Sequence, residues 1–120
     1  MRIVASGFVA LALAGCAHVA SPEANPAAYE ARALPPAELQ RVRDQVREYA
    51  RAHCGKCHIG SLPTARPAAL RIYNLDADNW SSTLSAAQLR NGFPRRLDGK
   101  LDGTGKQALR AFIEAELALR

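Results

Sequence analysis

Six consecutive residues, His53-Cys54-Gly55-Lys56-Cys57-His58, gather two thiols and two imidazoles. Two cysteines three positions apart can bond the two vinyl groups on one edge of a haem, and a histidine directly after them can ligate its iron. Cys54 and Cys57 are therefore the expected covalent attachment points. His58 is the expected axial iron ligand, with one haem c per chain. Three other uses of the pair compete. A thioredoxin-like dithiol needs strands around the motif, and the flanking sequence offers none. A zinc site normally draws a second ligand pair from elsewhere in the chain, and His53, Cys54, Cys57 and His58 alone close a tetrahedron poorly. A Cys54–Cys57 disulfide closes a very small loop and leaves His58 without a role.

The third cysteine belongs to a different pattern. Arg2, an apolar run from Ile3 to Ala14 and small residues before Cys16 form an export signal. Leu13-Ala14-Gly15-Cys16 resembles the lipobox of bacterial lipoproteins. That resemblance implies that residues 1–15 are a signal peptide and that Cys16 is acylated, its two or three chains holding the protein on a membrane. The competing readings are an uncleaved anchor and an ordinary signal peptide cut nearby; the apolar run is short for a span. The implied location is the periplasmic face of a bacterial membrane, inner or outer. Haem attachment to Cys-x-x-Cys-His takes place outside the cytoplasmic membrane as well, so both motifs point to one compartment, and each of the three cysteines has a use.

The elements that must position these groups are read from periodicity. Residues 16–34, rich in Ala, Pro and Glu, read as a flexible tether with a reach of roughly 25 Å. Residues 35–120 read as one small domain, near the size at which a side-chain core alone stabilises a fold. A haem would enlarge that core, and without it the domain is expected to be poorly ordered. Pro35 and Pro36 open a helix to about His53, with Leu39, Val42, Val46, Tyr49 and Ala50 on one face. The other face is charged, and Asp44 with Arg47 and Glu48 with Arg51 can pair across a turn; a solvated face is the plain reading. A short helix is expected over Ala68–Leu75. Ser85-x-x-Gln88 forms a capping box for another through Leu89, stopped by Asn91-Gly92 and Pro94. Thr104-x-x-Gln107 caps a final helix with Leu109, Phe112, Ile113 and Leu117 on one stripe. The expected fold class is all-α, with three to four helices around the haem.

This order, a helix leading into Cys54-x-x-Cys57-His58, a Pro-containing loop, short helices and an amphipathic last helix, resembles class I cytochrome c over residues 35–120. The likeness is specific at those three residues and architectural elsewhere. It implies that the first and last helices cross near the haem, Val46 or Ala50 meeting Phe112 or Ile113. It also implies a loop proline, Pro63 or Pro67, whose carbonyl accepts a hydrogen bond from the His58 ring. Arg66, Arg71, Tyr73 and Trp80 are candidates to contact the propionates, with core packing and solvation as the plain alternatives.

The family usually adds a downstream methionine as sixth ligand, and here the only methionine is Met1. The far side of the iron is then open, or takes Asn74, Asn91, Lys100, Lys106 or Tyr73, or closes with His18 or His53. The resemblance implies one-electron transfer with a redox partner protein. Its rivals are a gas-binding or sensing haem module and a structural or assembly lipoprotein. No acid or base for peroxide chemistry is identified, so an enzyme is not expected. The formal net charge of +5 comes from dispersed basic residues, and nucleic acid is not an expected partner of an exported chain.

Overall fold

The computed structural model describes residues 29–120. The signal peptide, Cys16, His18 and residues 16–28 of the tether lie outside the described residues. The described part is mostly helical, with no strand among those residues. Four α-helices follow in order: α1 (Pro36–His58), α2 (Pro67–Leu70), α3 (Phe93–Leu97) and α4 (Gly103–Leu117).

Helix α1 begins where Pro36 takes the first helical position, at which its missing N–H costs nothing. It buries Val42, Val46 and Ala50 on its apolar face. It does not stop at His53: it continues through both cysteines and ends at His58, where Ile59 turns the chain extended. Helix α4 is capped by Asp102, whose Oδ1 accepts from Gly105 N–H at 2.7 Å. Thr104, expected as the cap, already lies inside the helix. Asp102 wins because a carboxylate at the helix N-terminus satisfies a free amide and also meets the positive end of the helix dipole. Asp102→Ala is expected to lower stability by about 1 kcal/mol, read as a shift in the urea midpoint with unchanged slope.

Between them, Ser85 and Gln88 form the expected reciprocal box: Ser85 N–H donates to Gln88 Oε1 at 2.8 Å, and Gln88 N–H to Ser85 Oγ at 3.1 Å. The helix it opens is not stopped by Asn91-Gly92. A wide π turn over Gln88–Gly92, closed by Phe93 N–H on the Gln88 carbonyl, carries the chain into α3. The wider turn accommodates Pro94, whose ring would crowd the carbonyl four residues back in a regular helix. A 3₁₀ turn over Asp98–Lys100 follows. The helix expected over Ala68–Leu75 shrinks to α2, and the chain beyond Leu70 proceeds in turns.

The core lies where α1 and α4 pack together. Val46, Ala50, Phe112 and Ile113 are all fully buried in one cluster. Phe112 carries a stack of rings, with Trp80 parallel to it at 5.3 Å and Phe93 tilted at 5.8 Å. Residues 29–34, on the tether side of the sequence boundary, pack onto this body. Tyr29 is buried, Arg32 N–H donates to the Glu114 carbonyl at 2.9 Å, and Arg90 holds the Tyr29 carbonyl. The folded body therefore includes residues 29–34.

Candidate functional site

The last turn of α1 presents the thiols. Cys54 and Cys57 stand three residues apart on a helix, which puts them on one face, and His58 follows at the helix end. Both thiols are free and half-buried, and His58 is buried. All three open into one cleft of about 540 Å³, which His53, Lys56, Tyr73, Arg96 and Lys100 complete. A volume of that order suits a ligand of cofactor size. A smaller cavity of about 110 Å³ adjoins it, lined by Ile72, Leu84, Gln88, Gly92 and Phe93 together with His58, Tyr73 and Arg96.

The loop after α1 is tied back so that it frames His58. Arg66 N–H donates to the Cys57 carbonyl at 3.1 Å and Leu75 N–H to the His58 carbonyl at 2.8 Å. Asn74 Oδ1 accepts from Gly60 and Asp76 N–H groups, and Asp76 carboxylate accepts from Ser61 N–H at 2.8 Å. That bond, ahead of the nearby Arg51 charge, holds the Asp76 carboxyl below its ordinary range. Gly60 is required here, since a Cβ would sit 2.9 Å from Asn74 Nδ2.

Two arginines of α1 brace the same loop. Arg47 donates through both Nε and a terminal nitrogen to the Leu75 carbonyl and reaches the Ala77 carbonyl, while Arg51 adds a third bond to the Leu75 carbonyl and an ion pair to Asp76 at 3.3 Å. The pairs expected within the helix, Asp44 with Arg47 and Glu48 with Arg51, are replaced by these bonds. Each guanidinium fork spans two acceptors of the loop at once, the Leu75 and Ala77 carbonyls for Arg47 and the Leu75 carbonyl with the Asp76 carboxylate for Arg51.

His58 Nδ1 lies 3.0 Å from the Tyr73 carbonyl. That carbonyl can only accept, so Nδ1 carries the proton and Nε2 is left as the nitrogen with a free lone pair. The expected partner was a loop proline, and neither Pro63 nor Pro67 fills the role. Any residue brings a carbonyl, so no residue type marks this position in a sequence. The Tyr73 ring also stacks on His58, with centroids 3.7 Å apart and planes within 3°. Burial first, then the neighbouring Cys54, pushes its phenol well above its ordinary range.

The remaining sequence candidates separate clearly. Trp80 is buried in the ring stack of the core, and Arg66 and Arg71 are not among the residues that line the cleft. Asn74 is engaged by the loop amides and Lys106 faces Asp98 at 3.8 Å. Lys100, His53 and Tyr73 do line the cleft, whereas Asn91 does not. Sequence reasoning missed Lys56 and Arg96 as lining residues; the helical phase of α3 that sets the exposed Arg96 at the cleft wall depends on the π turn before it.

These residues fit a covalently held haem: two free thiols on one face, an imidazole whose free nitrogen is Nε2, and a cleft with apolar and cationic walls. The cleft lining carries three cationic side chains, Lys56, Arg96 and Lys100, two imidazoles, His53 and His58, and no carboxylate. Among the described residues no group of three or more His, Cys, Asp or Glu side chains is gathered to hold a metal ion by itself. No family, curated protein or solved structure compared with this chain matches it.

Proposed function

We propose that this chain is a monohaem c-type cytochrome lipoprotein that passes single electrons at the periplasmic face of a bacterial membrane. The observation that carries the reading is the joint exposure of Cys54, Cys57 and His58 to one cleft, with His58 Nδ1 already held by a backbone carbonyl. Cys54 and Cys57 would hold the haem through thioethers and His58 would ligate its iron through Nε2. When bound, the group supplies an Fe(III)/Fe(II) centre that exchanges one electron. The chain's own contribution is orientation and electrostatics. The bond to the Tyr73 carbonyl fixes the imidazole tautomer and raises its basicity as a ligand. Arg96 and Lys100, at the cleft wall, can bond the two propionate carboxylates, the pairing that a cleft with cations and no acid favours. An acylated Cys16 would keep the domain on the membrane, near a redox partner protein. No helix among the described residues is long and apolar enough to cross a membrane.

A second reading, a gas-binding or sensing haem module, is favoured by one fact: no methionine follows Met1 in the chain. Spectra of reduced protein with and without CO, paired with a redox titration, separate the two. The electron-transfer reading predicts a reversible one-electron wave and a reduced spectrum that CO leaves unchanged. Ready CO binding would replace it with the sensing reading.

A further inference from the structure

The bond from His58 Nδ1 to the Tyr73 carbonyl sets the tautomer and limits rotation about Cβ–Cγ, but a hydrogen bond tolerates tens of degrees of bend and leaves the ring plane loosely held. A second contact is needed to set the plane. The Tyr73 side chain makes one: its ring lies parallel to the imidazole at 3.7 Å, almost face on. Tyr73 is itself held from several sides. It is 5% exposed, and its ring packs edge-wise with Phe93 at 5.6 Å and Trp80 at 6.2 Å. Ile72, its neighbour in the chain, is pinned through its carbonyl by Thr83 Oγ1 at 2.7 Å.

We propose that Tyr73 is a positioning residue for the His58 imidazole through its side chain, the phenol ring setting the plane of the imidazole while Phe93 and Trp80 hold the phenol in place. One residue then governs the imidazole at two points, the carbonyl setting its tautomer and the ring its rotation. The orientation of an axial imidazole controls how its orbitals meet the iron, so the consequence rests on the haem reading proposed above, while the geometry itself does not.

The test uses the full-length protein as wild type, Tyr73→Phe and Tyr73→Leu, produced with haem-attachment machinery and measured by nuclear magnetic resonance in the reduced, CO-treated state. The wild type is expected to show cross-peaks between Tyr73 and His58 ring protons. Tyr73→Leu is expected to accelerate exchange of the His58 Nδ1 proton by about two- to tenfold, the size of an aromatic pair's contribution, with Tyr73→Phe restoring most of the protection. Absent ring-to-ring cross-peaks in the wild type, or equal exchange in Leu and wild type, would overturn the assignment. If mass measurement finds no haem on the wild type, the functional reading falls separately, and the same cross-peaks are then sought in the haem-free chain. Their presence there upholds the positioning role and their absence overturns it.

Discussion

Glu116→Gln lowers folding stability by about 3 kcal/mol at neutral pH and removes part of the protein's sensitivity to acid. Glu116 is the one carboxylate whose side chain is fully buried among the described ion pairs. Its Oε1 accepts from Arg43 Nε at 2.5 Å and from Ser81 Oγ at 3.0 Å, and its Oε2 from Arg120 at 2.8 Å. Arg43 comes from α1, Ser81 from the segment before the π turn, and Arg120 from the chain end after α4, so a single carboxylate joins three parts of the fold. Arg120 extends the tie by donating to the Leu84 and Ser81 carbonyls.

Burial by itself would raise the Glu116 carboxyl. The bonds from Arg43, Arg120 and Ser81 outweigh it and hold the group below its ordinary value of 4.5. A depressed carboxyl contributes stability that is complete above about pH 4.5 and is lost as the pH falls through the lower folded value. Breaking one partner of a buried pair costs about 3–5 kcal/mol, and the lower end applies because the two guanidiniums keep 26% and 22% of their exposure and can recover water. For a domain of this size the thermal midpoint falls by roughly 15 °C. Thermal melts of both proteins from pH 7 to pH 3 check the claim. The wild type should lose its advantage toward acid, and parallel curves across that range would show that Glu116 is not the titrating link.

Cys54→Ala combined with Cys57→Ala is expected to abolish covalent haem and to lower the thermal midpoint as well. Each thiol alone can still carry one thioether, so the single variants should keep haem in part. The stability effect follows from burial of the macrocycle's own apolar surface in the cleft, since His58, Tyr73, Leu84 and Phe93 around it are already buried and of these walls only Ile72 keeps much surface to cover. A large buried side chain contributes about 1.5–3 kcal/mol, and a macrocycle is larger, so the double variant should lose at least about 3 kcal/mol. Melts of the haem-loaded wild type beside the double variant give the comparison. Equal midpoints would mean that the side-chain core is complete without the group.

The residues that were legible in the sequence are those whose role is local. Leu39, Val42, Val46, Tyr49 and Ala50 announce α1 by their spacing, and Ser85 with Gln88 announces its box, because each pattern is satisfied within one or two helical turns. The motif residues share a cleft by the same logic, since i and i+3 on a helix share a face. What escaped was set by distant partners. Arg47 and Arg51 bond carbonyls 24 to 30 residues away, and nothing in their own turn distinguishes them from solvated arginines. Glu116 looks like an ordinary surface glutamate until Arg43, 73 positions earlier, is brought against it. Helix α1 runs on through Gly55, which is buried beneath the Ile59 side chain, and no pattern in its own turn announces that continuation. The continuation of the chain through Gly92 and Pro94 depends on a π turn, a geometry without a sequence signature of its own.

The most direct test of the haem reading is the mass of the peptide that spans residues 54–58, taken from protein exported in a host with haem-attachment machinery. The account predicts one haem per chain, bonded to both Cys54 and Cys57, with His58→Ala retaining the mass but losing the axial-ligand spectrum. Two unmodified thiols on a folded, exported protein, or a disulfide between them, would contradict it and return the pair to dithiol or zinc chemistry.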